Sequence, residues 1–433
     1  DSKGKTIFFL DGKGRIKRVG INGKADDPIP FTARYRIDAR LERKAVFDEA
    51  WRALDENFYD PAFHGVDWPA QRDKYRPWAL EASTDADFAD IVNLMLGELN
   101  ASHMGYRPRG SRSRPAGSGD ATGWIGVTYD PKKGGPGLLI SEVLPDGPAW
   151  RSDVAIEEGD RLLAVNGVEI SADTNVFSLF VDTADQRTQL RVLDKDGSQR
   201  TVVVKPVGFQ SQRQLRYEEW VRERRRLAEK WSDGRLGYIH IQGMNMSSFE
   251  EFEHMLFAAA DGKEGLLVDV RFNGGGSTTD YVMAVLMVQR HAYTVPRGAD
   301  PSIRAYPQSR LPLAAWTRPA AALCNEQSYS NAEIFSYAFM SLGRGPVVGW
   351  PTFGAVISTG GMRTLNGATV RLPGRGWYVA DTGINMENNG AVPDVLVEQP
   401  PSEDLSATED TQLRRAVEVL LADLENDPRT GAW

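Results

Sequence analysis

The apolar positions of this chain change period several times, and each change marks a different kind of element. In "KTIFFLDGKGRIKRV" apolar and polar residues alternate on both sides of an Asp-Gly pair, which predicts a β-hairpin. An isolated hairpin is unstable in water, so residues 1–34 either pack on the next segment of the chain or are the remnant of a larger β domain. From about Glu42 the period becomes helical: Val46, Phe47, Ala50, Trp51 and Leu54 share one face, as do Phe88, Ile91, Val92, Met95, Leu96 and Leu99. These runs predict a small helical domain over 35–116, interrupted by the turn-rich stretch "YDPAFHGVDWP".

"RPRGSRSRPAGSGDATG" has no apolar period and reads as a linker, with a boundary near Gly117. Short β-like runs come next ("WIGVTYD", "GLLISEVL", "DRLLAVNG", "QLRVLD" and "RTVVVKPV"), which predict a compact, mostly β module over 117–207. After a helix with Tyr217, Val221, Leu227 and Trp231 on its apolar face, strands and helices alternate. "RLGYIHI" precedes a helix over 249–260, "GLLVDV" one over 281–289 and "AAALC" one over 332–342. Residues 208–433 therefore read as an α/β domain, and the whole chain as multidomain α+β. In an α/β sheet chemistry belongs at the strand-to-helix turns, where helix N-termini present free N–H groups.

Composition narrows the classes. A chain of 433 residues with 41% hydrophobic content can form two or three cores. The net charge of −8 is spread along the chain, which argues against nucleic acid as a main partner. The run "RERRR" at 222–226 is interleaved with Glu218, Glu219, Glu223 and Glu229, as on a solvated helix face. The single cysteine, Cys324, excludes an intrachain disulfide, and "PAAALCN" places it in a buried strand. No stretch is apolar enough to span a bilayer and "DSKGK" is no signal-peptide core, so a cytoplasmic location is expected. The absence of an initiator Met suggests a longer precursor. There is no H-E-x-x-H, Cys pair or calcium loop, so neither a metal nor a cofactor is expected.

Two strand-to-helix turns stand out. "VDVRFNGGGSTTD" puts three glycines between a strand and a helix, which allows consecutive backbone N–H groups to be exposed but lacks the phosphate-loop spacing. "NEQSYSNAEIF" starts a helix at Ser330, with Glu333 completing an S-x-x-E capping box. The same serine, held on a sharp turn near helix N–H groups, could instead be a nucleophile. A nucleophile needs a base. His240, His254 and His291 fall in structural or surface settings, whereas His64 and His103 both lie at turns, and the residues alone do not choose between them. A dyad with a downstream lysine is excluded, because the last lysine is Lys263.

Six stretches occur in the order found in one family: "ENFYDPAFHGVDW", "GELNASH", "VDVRFNGGG", "NEQSYSNAEIFSYAF", "VVGWPTFGAV" and "MENNGAVPDV". From about Tyr35 to Leu424 the chain resembles the C-terminal half of the tricorn-type proteases, within the S41 or C-terminal-processing serine peptidases. "WIGV" and "EEGDRLLAVNG" resemble a PDZ domain, and the α/β core resembles the crotonase and ClpP folds. The resemblance implies a Ser-His-Ser-Glu tetrad: Ser330 as nucleophile, His103 as base and then acid, Ser102 orienting the imidazole, and Glu387 behind Ser102. It implies an oxyanion hole from the N–H groups of Gly276 and Asn331, and substrate-binding roles for Gly274, Gly275 and Thr294. Thr294 stands where relatives that prefer basic P1 residues carry an acid. The implied activity is that of a serine endopeptidase or oligopeptidase acting on peptides or unfolded proteins through an acyl-enzyme, and a homo-oligomer is compatible with it. The hairpin over 1–34 would then be a remnant of the family's β-propeller. The competing readings are a non-catalytic PDZ-type peptide-binding protein and a crotonase-like acyl-CoA enzyme.

Overall fold

The computed structural model describes residues 4–12, 14–21, 23, 28–30, 36–110, 121–151, 153–171, 173–289, 295, 297, 298, 300 and 315–426. At its start β1 (Thr6–Leu10) and β2 (Ile16–Gly20) pair antiparallel around the Asp-Gly turn, with Ile7, Phe8 and Leu10 exposed. Helices α1 (Ala39–Asn57), α2 (Trp68–Glu81) and α3 (Asp85–Gly97) come next. Each starts on a side chain able to take up free N–H groups: Asp38 accepts from Arg40 and Leu41, Asp67 accepts from Ala70, and Thr84 forms a capping box with Asp87. The helical stripe read from sequence is the buried one, with Val46, Phe47, Ala50, Leu54, Phe88, Val92, Met95 and Leu96 in one core. Strand β3 (Gly105–Arg107) comes directly after it.

The β module contains β4 (Val127–Asp130), β5 (Leu138–Val143), β6 (Arg161–Val165), β7 (Val168–Glu169), β8 (Thr188–Leu193) and β9 (Gln199–Val204). They form an antiparallel sheet in the order β4-β5-β6-β8-β9, with β7 paired to β6. Ile125, Ile140, Leu162, Val165, Leu190 and Val192 fill its own separate core.

The α/β unit runs α4 (Phe209–Trp231), β10 (Leu236–His240), α5 (Met246–Ala258), β11 (Gly265–Asp269), α6 (Thr279–Leu286), β12 (Ala320–Cys324), α7 (Asn331–Ser341), β13 (Val347–Gly349), β14 (Ile357–Arg363), β15 (Thr369–Gly376), β16 (Val395–Leu396) and α8 (Thr411–Asn426). Strands β10, β11, β12, β13 and β16 form a parallel sheet in that order. Period-two alternation assigns its faces: in β12, Ala320, Ala322 and Cys324 join the core under α5, α6 and α7, while Ala321 and Leu323 join the core under α4 and α8. Cys324 is fully buried, as its sequence context implies, and burial pushes its thiol up to about 12. The fold is thus multidomain α+β: a helical domain, a PDZ-type β module and an α/β domain.

A third sheet, β14-β15-β3, positions the site. Residues Thr369, Val370 and Arg371 pair with Arg107, Tyr106 and Gly105, so the segment just after His103 is bound into the α/β unit some 260 residues further on. Among the described residues no helix is long and apolar enough to cross a membrane.

Candidate active site

The turn after β12 brings Ser330 to the start of α7 with φ 57° and ψ −115°, a left-handed conformation that a serine holds only under constraint. Its N–H donates to Glu333 Oε1 at 2.9 Å, which is the backbone half of the capping box read from sequence. Its Oγ lies 3.0 Å from His103 Nε2. Glu333 is fully buried and also accepts from Thr352 Oγ1, Gly354 N–H and Ala355 N–H. Burial pushes this carboxyl up, against the pull of those donors. Ser328, the other serine of the stretch, is buried and donates to the Val270 carbonyl at 2.8 Å, a purely structural position.

Of the two open histidines, the structure brings only His103 to Ser330. His64 has both ring nitrogens engaged, Nδ1 with the Leu99 carbonyl at 2.8 Å and Nε2 with Tyr59 Oη at 2.6 Å. Tyr59 in turn accepts from Asn385, so His64 braces the loop between α3 and β3 against the segment that carries Glu387. His240 is held by Tyr217 and the Arg271 carbonyl. His254 is exposed, and His291 lies outside the described residues.

Burial, followed by the charge of Arg371, brings the His103 pKa down to about 4. The imidazole is therefore neutral at physiological pH and able to take a proton.

Glu387 is buried behind this pair. It accepts from Ser102 N–H, from Ser102 Oγ at 2.9 Å and from Val356 N–H at 2.8 Å. The resemblance puts Ser102 at the imidazole, yet its hydroxyl donates to Glu387, and the hydroxyl found at His103 Nδ1 is that of Tyr329, at 3.1 Å. Sequence reasoning misses Tyr329 because it reads as an ordinary aromatic. The signal available is its place one residue before the serine.

The glycine turn packs directly on Ser330. Gly275 has φ 86°, and a Cβ there would stand 2.7 Å from Ser330 Cβ and 2.6 Å from the Tyr329 carbonyl oxygen. At Gly276, with φ 147°, a Cβ would fall 1.8 Å from the Met244 carbonyl oxygen. Asn273 fixes the turn, donating to the Ile241 carbonyl and accepting from Gly275 N–H. Asn331 points its side chain away from the site, its Oδ1 accepting from Thr279 N–H at 2.9 Å. Among the described residues the N–H groups of Gly276 and Asn331 have no protein acceptor. Gly274 is exposed beside them, and Thr294 lies outside the described residues.

Beneath the turn, Arg271 is fully buried between Asp269 and Asp410, and Asp410 also pairs with buried Arg224. This ion cluster ties the end of β11 to α4 and α8. Among the described residues no group of His, Cys, Asp or Glu side chains is arranged to hold a metal ion.

Comparison with known proteins gives three family matches along the chain. Residues 39–97 match the Tricorn protease C1 domain, 143–208 the Tricorn protease PDZ domain and 235–397 Peptidase family S41. The chain is 33% identical to Tricorn protease homolog 1 of Streptomyces coelicolor over 98% of its own length and 40% of that protein. It is 28% identical to the Tricorn protease of Thermoplasma acidophilum, over 98% of this chain and 39% of that one. A crystal structure of the tricorn protease superposes with a TM-score of 0.80 at 25% identity, covering 98% of this chain and 41% of that one. The chain thus spans well under half the length of these relatives.

Proposed function

We infer from one premise, that this chain belongs to the tricorn-type branch of peptidase family S41, that it hydrolyses peptide bonds with Ser330 as nucleophile. The observation that carries the reading is the contact of 3.0 Å between Ser330 Oγ and His103 Nε2, made by a serine held at positive φ beside the glycine turn. Ser330 Oγ attacks the scissile carbonyl carbon while His103 Nε2 takes its proton. The oxyanion settles on the N–H groups of Gly276 and Asn331, which are free to donate. His103 returns the proton to the leaving nitrogen as the C–N bond breaks, leaving an acyl ester on Ser330. Water, deprotonated by His103, then hydrolyses that ester. Ser102 and Glu387 form the polar group behind the imidazole. The reading needs no cofactor.

The proposed substrates are peptides or unfolded segments, whose extended backbone can reach the glycine turn beside Ser330. Gly274 and Gly275 would line the bound backbone, and Thr294, outside the described residues, is proposed to contribute to substrate binding in place of an acid. A cytoplasmic setting and a homo-oligomeric assembly are compatible with this reading.

Fluorophosphonate labelling of the purified chain, combined with a peptide-library digest, tests it. Ser330→Ala and His103→Ala should abolish labelling and His64→Ala should retain it. Labelling lost in His64→Ala but kept in His103→Ala would overturn the assignment of the base.

A further inference from the structure

The hydroxyl next to the imidazole is not the one that the tetrad supplies. We propose that Tyr329 is a positioning residue, whose Oη accepts the Nδ1–H of His103, so that Nε2 is left bare to receive the Ser330 proton. The inference rests on the assignment of Ser330 and His103 given above and deepens it.

The contacts of the two ring nitrogens carry the argument. Nε2 lies 3.0 Å from Ser330 Oγ, and a nitrogen that is to take the serine proton must be bare, which puts the ring proton on Nδ1. The group within reach of Nδ1 is Tyr329 Oη, at 3.1 Å. The Ser102 hydroxyl is committed elsewhere, donating to Glu387 at 2.9 Å. Tyr329 Oη is therefore the oxygen placed to accept the Nδ1–H and hold the ring in that tautomer.

The ring is held firmly enough to act in this way. Tyr329 N–H donates to the Asn273 carbonyl at 2.9 Å and its carbonyl accepts from Ala332 N–H at 3.1 Å, which fixes its backbone between the glycine turn and α7. Its ring meets His103 edge to face, with centroids 5.1 Å apart and planes at 82°. Phe353 packs on its other side at 5.1 Å and 70°. The imidazole is thus oriented both by packing and by the phenol oxygen. Tyr329→Phe removes the oxygen and keeps the ring.

Tyr329→Phe should lower kcat roughly ten-fold with KM within about two-fold, the scale of one neutral hydrogen bond made by a catalytic base. A wild-type kcat in Tyr329→Phe would overturn the proposal. Nitrogen-15 NMR of histidine-labelled wild-type protein reads the tautomer without any change at Tyr329, the His103 signal being assigned by its loss in His103→Gln. A proton on Nδ1 is expected, and a proton on Nε2 would sink the idea even if Tyr329→Phe failed to fold. Ser330→Ala separates the two levels: if it kept full turnover the peptidase assignment itself would fall, whereas an inactive Ser330→Ala beside a fully active Tyr329→Phe would remove only the role of Tyr329.

Discussion

With His103 as the proposed base, its surroundings set the expected acid limit of activity. Burial disfavours the charged imidazolium and the nearby Arg371 guanidinium disfavours it further, so the ring loses its proton at about 4 rather than at the ordinary histidine value. The working form of a general base is the neutral one. At pH 5.5 an ordinary histidine near 6.5 would be only about one-tenth neutral, whereas one near 4 is more than about nine-tenths neutral. The second-order rate of fluorophosphonate labelling reports the free enzyme and does not depend on substrate ionisation. Measured from pH 8 to pH 4, it should stay nearly flat to about pH 5 and reach half its maximum near pH 4. Stability moves in the same sense. Because the folded pKa lies below the unfolded one, the unfolded chain binds more protons between the two values, so the contribution of neutral His103 is lost as pH falls from about 6.5 toward 4. A denaturant midpoint at each pH therefore has to accompany the rates. Arg371→Gln should move the labelling limb upward, by less than burial contributes. A wild-type limb near 6.5, or a downward movement in Arg371→Gln, would refute the reasoning.

Three further outcomes are expected. Gly276→Ala places a Cβ 1.8 Å from the Met244 carbonyl oxygen, so the turn must shift and its N–H with it. Labelling should fall by about 10²–10³, the scale of one lost oxyanion donor, and an unchanged rate would remove Gly276 from the site. Glu387→Gln turns an amide NH₂ toward a pocket lined by the donors of Ser102 and Val356, and urea titration should show a loss of about 1–3 kcal/mol together with slower labelling. Wild-type values for both would contradict the role given to the carboxylate. Arg271→Met strips the buried Asp269 and Asp410 of their shared partner and should cost about 3–5 kcal/mol in the same titration, and a cost below about 1 kcal/mol would show that the ion cluster is not what holds the turn.

The sequence pattern is most legible where structure is local. Helical stripes mark α1 and α3, alternation marks the β module, and strand-helix alternation marks the parallel sheet, because each depends on burying one face of one segment. What escapes is pairing at long range. Nothing in "GELNASHMGY" shows that Gly105–Arg107 will join β15, although that pairing brings His103 to Ser330. The base cannot be chosen from local context either, since His64 and His103 both sit at turns with positive φ. The choice lies in partners far along the chain: Tyr59 and Leu99 occupy both nitrogens of His64, whereas His103 keeps Nε2 for the serine. The Arg271 cluster is hidden for the same reason, because Asp410 lies 139 residues away along the chain.

Capping and catalysis compete at Ser330 only if the serine side chain has to do both. An ordinary capping box uses the serine oxygen for an N–H of the first helical turn and the glutamate for the serine N–H. Here Glu333 keeps its half, while Ser330 Oγ faces His103. The same carboxylate takes Thr352 Oγ1 and the N–H groups of Gly354 and Ala355, all inside the fold. A strained backbone of this kind costs on the order of 1–3 kcal/mol and persists only where its surroundings over-determine it. Glu333 is a large part of that constraint, since it holds the Ser330 N–H from one side while being anchored by three groups on the other. Gly275, without a Cβ, lets the glycine turn close against Ser330 from the opposite side. The sequence feature that argues most strongly for a plain helix start is therefore also the one that holds the serine at positive φ with its hydroxyl turned to His103.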